Sequence, residues 1–328
     1  MSDSSPLFTV FTPTYNRAHT LVRVYQCLVA QTLRDFEWLV VDDGSSDGTP
    51  ALLAGWQAEG RVPIRYVCQP NGGKHVAFNT GVRLARGALF LTLDSDDSCD
   101  ANALQRLHGH WLSIATAERS AFSGVTCLCK TPSGQIVGSG LPRPLVDGLP
   151  FQVFSQLRLH GEMWGFQRTD LLRRFPYPEF AGERFVPEGL VWNRIGAHYK
   201  IRFVNEALRH YHHSADGLSM STVRLRLASP RAAVTFYGEL MNLPVRLRDR
   251  VRAAANLGRF AVGGRVWREA LPHLRRHPAI AALGLPIGLC LALKDRASGL
   301  HRARSGAARP AATPLREPHP TPPADPHA

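Results

Sequence analysis

Between residues 1 and 100, short apolar runs alternate with helical patterns, and each helix is bracketed by two such runs. Leu7–Thr12 is the first run. Leu21, Val24, Tyr25 and Leu28 then recur at three- and four-residue spacing, which is one face of a helix. Phe36–Val41 reads as a second strand, Ala51–Ala58 as a short helix, Ile64–Cys68 as a third strand, Val76–Ala85 as a helix and Ala88–Leu93 as a fourth strand. Strands that are apolar on both faces and separated by helices imply a parallel sheet covered on both sides. Ligands of such sheets bind beyond the carboxyl ends of the strands. The residues that follow each strand are therefore the ones to read for chemistry.

The expected fold class is α/β: a mostly parallel sheet flanked by helices, with a helical, basic carboxy-terminal extension. Phe122–Cys129 reads as a further strand and Glu188–Ala197 as a helix that starts after Pro187. Beyond residue 220 the pattern is helical, broken by Pro230, Pro244, Pro272, Pro278 and Pro286. Ala279–Leu293 is an apolar run of 15 residues with Pro286 inside it. A spanning helix needs about 20 residues, so a buried or interfacial helix is expected there. The Pro- and Ala-rich residues 305–328 are expected to be disordered. The expected domains are 1–220 as the catalytic unit, 221–304 as the basic extension and 305–328 as a tail.

Charge separates the two parts. Residues 1–219 hold 21 Lys+Arg against 20 Asp+Glu, and residues 220–328 hold 18 against 6, within a chain of net +13. A nucleic-acid-binding core would be basic across its working face. Here the motif-bearing part is neutral, and the basic extension suits an anionic membrane surface. The six cysteines are scattered with no CxxC pair, which argues against a zinc site or a disulfide framework. The start, MSDSSPLF, has neither a basic n-region nor an apolar h-region, so no secretory signal is expected. The expected location is cytoplasmic, peripheral on the inner face of the cytoplasmic membrane.

Strand 1 ends in Thr12-Pro13-Thr14-Tyr15-Asn16-Arg17, strand 2 in Asp42-Asp43-Gly44-Ser45-Ser46-Asp47-Gly48-Thr49, and strand 4 in Asp94-Ser95-Asp96-Asp97. Each motif alone is common. Three of them at one edge of one sheet are not. A segment running from Asn71-Gly72-Gly73-Lys74-His75 to Gly81 links the second and third motifs. Together they resemble a family 2 glycosyltransferase with the nucleotide-diphospho-sugar transferase (GT-A) fold, closely over residues 7–105 and more loosely over 160–220.

The resemblance implies transfer of a sugar, from a nucleotide diphosphate donor that is most simply a UDP-sugar, to a carbohydrate or lipid-linked acceptor with inversion. It implies Mn²⁺ or Mg²⁺, which take hard oxygen ligands, keep several waters, and stabilise charge on the leaving phosphate. Asp96 matches the position of the direct metal ligand. Asp94 would orient the metal shell or the ribose. Three acids after an apolar strand would also repel one another without a cation. Asp43 matches the position that accepts the N3–H of uracil, Asp42 braces the turn, and Thr12 and Tyr15 would wall the base. Pro13, Arg17, Lys74 and Ser95 complete the expected donor set. Glu188 falls on the second acid of the late acidic pair, the catalytic base, when Trp192 and Arg194 are set on the family's aromatic and arginine. Pro187 stands where the first acid usually does. His213 is the candidate to complete the metal shell from a lid over residues 211–219, and Trp164 is a candidate sugar platform or core residue.

Two other readings compete. A nucleotidylyltransferase uses a related sheet but holds its triphosphate on a glycine-rich loop after strand 1; here that loop is Thr14-Tyr15-Asn16, without glycine. A nucleic-acid-binding protein interleaves basic and aromatic residues, whereas this motif edge is acidic. No nucleic-acid partner is expected.

Overall fold

The structure, a computed structural model, describes residues 5–212 and 222–299. Its first half builds as the apolar runs require. Strand β1 (Phe8–Thr14) is buried along its whole length, as is β2 (Phe36–Asp42), because helices cover both faces. Helix α1 (Ala18–Val29) turns Leu21, Val24, Tyr25 and Leu28 inward. Helix α2 (Thr49–Glu59), β3 (Ile64–Cys68), α3 (Lys74–Leu84) and β4 (Leu89–Thr92) follow. The four strands lie side by side in the order β3-β2-β1-β4, all parallel.

Beyond β4 the sheet becomes mixed. Strand β5 (Ser98–Cys99), helix α4 (Ala103–Leu112), β6 (Phe122–Lys130) and β7 (Leu145–Gly148) are followed by helix α5 (Pro150–Leu157) and β8 (Met163–Arg168). Helices α6 (Thr169–Arg174) and α7 (Gly189–Gly196) precede the long strand β9 (Lys200–His210). Strand β8 pairs antiparallel with both β4 and β6, and β6 pairs parallel with β9. The parallel expectation thus holds across β1–β4, where a helix connects each strand to the next in sequence, and gives way once β8 enters from the other direction.

Two buried clusters sandwich the sheet. One holds Phe8, Trp38, Leu91 and Phe166; the other holds Phe11, Leu39, Phe90 and Leu190. Trp164 belongs to the first: it is buried, and its indole N–H donates to the Thr92 carbonyl at 2.6 Å. It is a core residue and no sugar platform.

Residues 222–299 form helices α8 (Thr222–Ala228), α9 (Pro230–Leu240), α10 (Leu247–Gly264), α11 (Trp267–Arg276) and α12 (Pro278–Ala297) around their own core of Val234, Leu257, Phe260 and Leu274. Ala232 and Phe236 of α9 join that core to the sheet domain. Arg194 of α7 grips Glu239 of α9 through both ends of its guanidinium, at 2.9 and 2.6 Å. The apolar run expected to be too short to cross a membrane sits in a helix of 20 residues, because Pro278 starts it and Pro286 is absorbed without ending it. By length and composition alone that helix is long enough to span. The tail 305–328 lies outside the described residues.

Candidate active site

The carboxyl ends of β1, β2, β3 and β4 lie at one edge, and side-chain hydrogen bonds stitch the loops beyond them together. Asn16 adopts a left-handed backbone, φ 53°, which turns the chain out of β1. Its amide N–H donates to Ser45 Oγ and its side-chain oxygen accepts from the Ser46 N–H, both at 2.8 Å. Asp47 accepts from the N–H groups of Ala18 and Thr49, 3.0 Å each, and so ties the starts of α1 and α2. Asp42 braces its turn as expected, accepting from the Ser45 N–H and the Tyr66 hydroxyl at 2.8 Å each.

Asp43 is nearly buried, and three donors already reach it: the Gln69 amide at 2.8 Å, the Gly72 N–H at 2.9 Å and the Gly73 N–H at 2.7 Å. A carboxylate has about four acceptor directions, so one remains for a base N–H. Gly73 is required here. Its φ is +97°, and a Cβ would stand 2.4 Å from the Arg184 carbonyl oxygen. That close approach seats the chain before α7 against the start of α3.

The consequence is a pair of contacts absent from the sequence reading. Lys74, the first residue of α3, places its Nζ 2.8 Å from Asp94 Oδ1 and 2.7 Å from Glu188 Oε1. Both carboxylates raise the Lys74 ammonium well above its ordinary range, against the opposing pull of burial. Glu188 sits at the N-cap position of α7, yet its side chain caps no helix N–H. The carboxylate is half-exposed and committed to Lys74.

Arg209, in β9, is the second missed residue. It is buried, contacts Asp97 through Nε at 2.8 Å and through Nη2, and reaches Asp94 Oδ2 at 3.2 Å. Burial alone would raise the Asp94 carboxyl; Lys74 and then Arg209 outweigh it and hold it at about 2. Burial pushes the Asp97 carboxyl up to about 6 in spite of Arg209 and of the His212 N–H, which donates to it at 2.9 Å. These two cations correct the argument that the three acids need a metal to coexist: Asp94 and Asp97 are neutralised by the protein itself. Asp96 is different. Its half-buried carboxylate takes no side-chain or backbone donor among the described residues, and only its backbone carbonyl is engaged, by Arg23 at 3.3 Å.

The rest of the expected donor set divides. Tyr15 is 50% exposed and free to stack on a base. At Thr12, β1 runs two residues further, the side chain is fully buried, and its hydroxyl donates to the Leu93 carbonyl at 2.8 Å while accepting from the Trp38 indole at 3.0 Å, which leaves the expected contact with a base to its backbone. It supports the site from beneath. Pro13 and Ser95 are buried beside it, and Arg17 lies at the start of α1, where its carbonyl accepts the Thr20 and Leu21 N–H groups. His213 and the lid residues that follow it lie outside the described residues.

A divalent cation fits this chemistry in one way. No group of three metal-binding side chains exists among the described residues, but Mg²⁺-type ions are commonly held by one or two carboxylates together with substrate phosphates. Asp96, a hard oxygen donor whose carboxylate has no partner among the described residues, would supply that single carboxylate.

Comparison with known proteins agrees with the architecture. Residues 9–117 match the model of glycosyl transferase family 2. The chondroitin synthase of Escherichia coli is 37% identical over 100 residues, 30% of this chain and 14% of that protein. The matched stretches span 14% to 39% of the length of the curated relatives. Among solved structures, Staphylococcus aureus TarS 1–349 in complex with UDP-GlcNAc superposes with a TM-score of 0.56 at 17% identity, over 91% of each chain. The mannosyltransferase PcManGT of Pyrobaculum calidifontis, in complex with GDP-Man and Mn²⁺, does so with a TM-score of 0.50 at 20% identity, over 92% of this chain and 85% of that one. Residues 9–117 thus match glycosyl transferase family 2, and the chain as a whole shares the GT-A fold of these two solved glycosyltransferase structures.

Proposed function

We propose that the protein transfers a sugar from a nucleotide diphosphate donor to an acceptor hydroxyl with inversion. The carrying observation is that Lys74 joins Asp94, at the donor edge, to Glu188, whose carboxylate caps no helix amide. The base would lie on Tyr15 with its N–H at the free direction of Asp43, which favours a uracil and hence a UDP-sugar. The acceptor oxygen attacks the anomeric carbon from the face opposite the phosphate. Its proton passes to Glu188, and the bond from that carbon to the phosphate oxygen breaks. The negative charge that collects on the departing diphosphate is met by Lys74, which exchanges one carboxylate partner for a phosphate oxygen. A divalent cation held by Asp96 would add Lewis-acid stabilisation of the same charge.

The acceptor, carbohydrate or lipid-linked, belongs to this reading, as does a location on the cytoplasmic face of the membrane, which the basic extension supports. TarS was solved with UDP-GlcNAc, so UDP-sugars head the test. Thermal shift with UDP-, GDP- and dTDP-sugars, each with and without Mn²⁺, reads donor choice. A ligand at 100 times its dissociation constant adds about 2.7 kcal/mol of stability. No shift with any nucleotide sugar overturns the proposal.

A further inference from the structure

Helix α12 is packed inside out. A helix on the surface of a water-soluble protein turns its large apolar side chains inward. Here the buried positions include Gly284, Gly288 and Ala292, while Leu283 is 57%, Ile287 51%, Leu289 45% and Leu293 64% exposed. At 100° per residue the exposed apolar positions occupy an arc of about 160°. The small residues permit very close contact with α10: a Cβ on Gly288 would lie 2.2 Å from the Ala255 carbonyl oxygen. The one acid of α12, Asp295, is buried and paired to Arg259 of α10 at 2.6 Å. The exposed charges next to the arc are Arg275 and Arg276 before the helix and Lys294 and Arg296 in its last turn, and all are positive.

We infer that α12 lies flat on an anionic membrane surface, with Leu283, Ile287, Leu289 and Leu293 among the upper acyl chains and the flanking basic residues on the headgroups. This rests on the membrane-side location proposed above. A spanning path is disfavoured because α12 is seated along α10, which would carry Arg248, Arg252 and Arg259 into hydrocarbon with it. A second copy of the chain is disfavoured by charge. Either end of α12 presents basic residues, so parallel and antiparallel pairing would both set positive against positive. Anionic headgroups complement both ends at once.

The test is co-sedimentation of the full chain with phosphatidylcholine vesicles, with and without phosphatidylglycerol. Binding is expected to the anionic vesicles, to fall with salt, and to weaken at least about tenfold in the exposed-face variant Ile287→Asp/Leu293→Asp. Arg275→Glu/Arg276→Glu should lose the preference for anionic lipid. Melting temperature and donor turnover in solution, both expected unchanged, are read on the same samples, so a failed surface is distinguished from a failed catalytic reading. The inference is overturned if the wild type ignores vesicles, if the Ile287→Asp/Leu293→Asp variant binds equally well, if neutral vesicles bind as tightly, or if sedimentation shows a dimer that Ile287→Asp dissolves.

Discussion

Lys74 holds Glu188 at 2.7 Å, although the two residues are far apart in sequence, one opening α3 and the other at the N-cap of α7. The same ammonium holds Asp94 at 2.8 Å. One cation thereby fixes the distance between the proposed base and the end of β4, and it is the group that an arriving diphosphate would recruit. Lys74→Met removes this link without emptying the core, since the side chain is 30% exposed. Donor affinity is expected to fall roughly tenfold, the scale of one lost charge-assisted hydrogen bond. Calorimetric titration with a UDP-sugar measures it; unchanged affinity would remove Lys74 from the donor site.

Glu188→Gln keeps volume and one oxygen but cannot accept the acceptor's proton. Donor and metal binding should persist, because Asp43, Asp94 and Asp96 are untouched. Transfer should fall about 100- to 10,000-fold, the usual range for a lost general base. Binding by calorimetry and transfer by product formation, on one preparation, separate the roles. Lost donor binding would move Glu188 into the donor site.

Asp96→Asn tests the metal. Among the described residues, Asp96 alone of Asp94, Asp96 and Asp97 has a carboxylate with no ion-pair partner, so its charge is the one left to attract an ion. The variant is expected to lose metal-dependent turnover by orders of magnitude at a given Mn²⁺ concentration, with melting temperature unchanged. Turnover retained with the same Mn²⁺ requirement would refute the assignment.

Much of this site was legible because its chemistry sits in contiguous motifs at strand ends. Ile64–Cys68 appears as read, and β1, β2 and β4 differ from their apolar runs only at the ends. Such strands carry their own signal, being apolar on both faces. The cations were not legible in the same way. Lys74 and Arg209 act across the fold, and nothing local says where a long basic side chain will point. Arg209 did leave one clue: it lies in the otherwise strand-like stretch Ile201–His210, and a buried arginine must find a carboxylate. The acids of residues 94–97 were the partners on offer. Pro286 misled for a physical reason too. A proline within a helix costs a hydrogen bond but need not end it when packing against α10 holds both halves.

The Asp94 carboxyl gives a pH signature. Its folded-state value, about 2, is below the ordinary 3.8. A depressed acid contributes stability above its unfolded pKa and loses it as pH falls through the folded value. Stability should therefore decline between about pH 4 and pH 2, by roughly 2 kcal/mol from this group. Denaturant titrations across that window should show the decline in the wild type, and a correspondingly shallower one in Asp94→Asn. Identical slopes would mean that Lys74 and Arg209 do not stabilise the charge.

Glu183 is the nearest rival for the base, five residues before Glu188 in sequence, and the structure gives it other work. Its two carboxylate oxygens accept from the Arg231 and Ala232 N–H groups at 2.8 and 2.9 Å. Those amides open α9, behind Pro230, so Glu183 caps the helix that joins the basic extension to the sheet domain. Loss of such a cap costs about 0.5–2 kcal/mol. Glu183→Ala is accordingly expected to lower the melting temperature by a few degrees, while transfer per folded molecule stays within about twofold of the wild type. The informative comparison is with Glu188→Gln, which should do the reverse. If Glu183→Ala instead abolished transfer with stability and donor binding intact, the proton acceptor would be Glu183. The contact between Glu188 and Lys74 would then be structural.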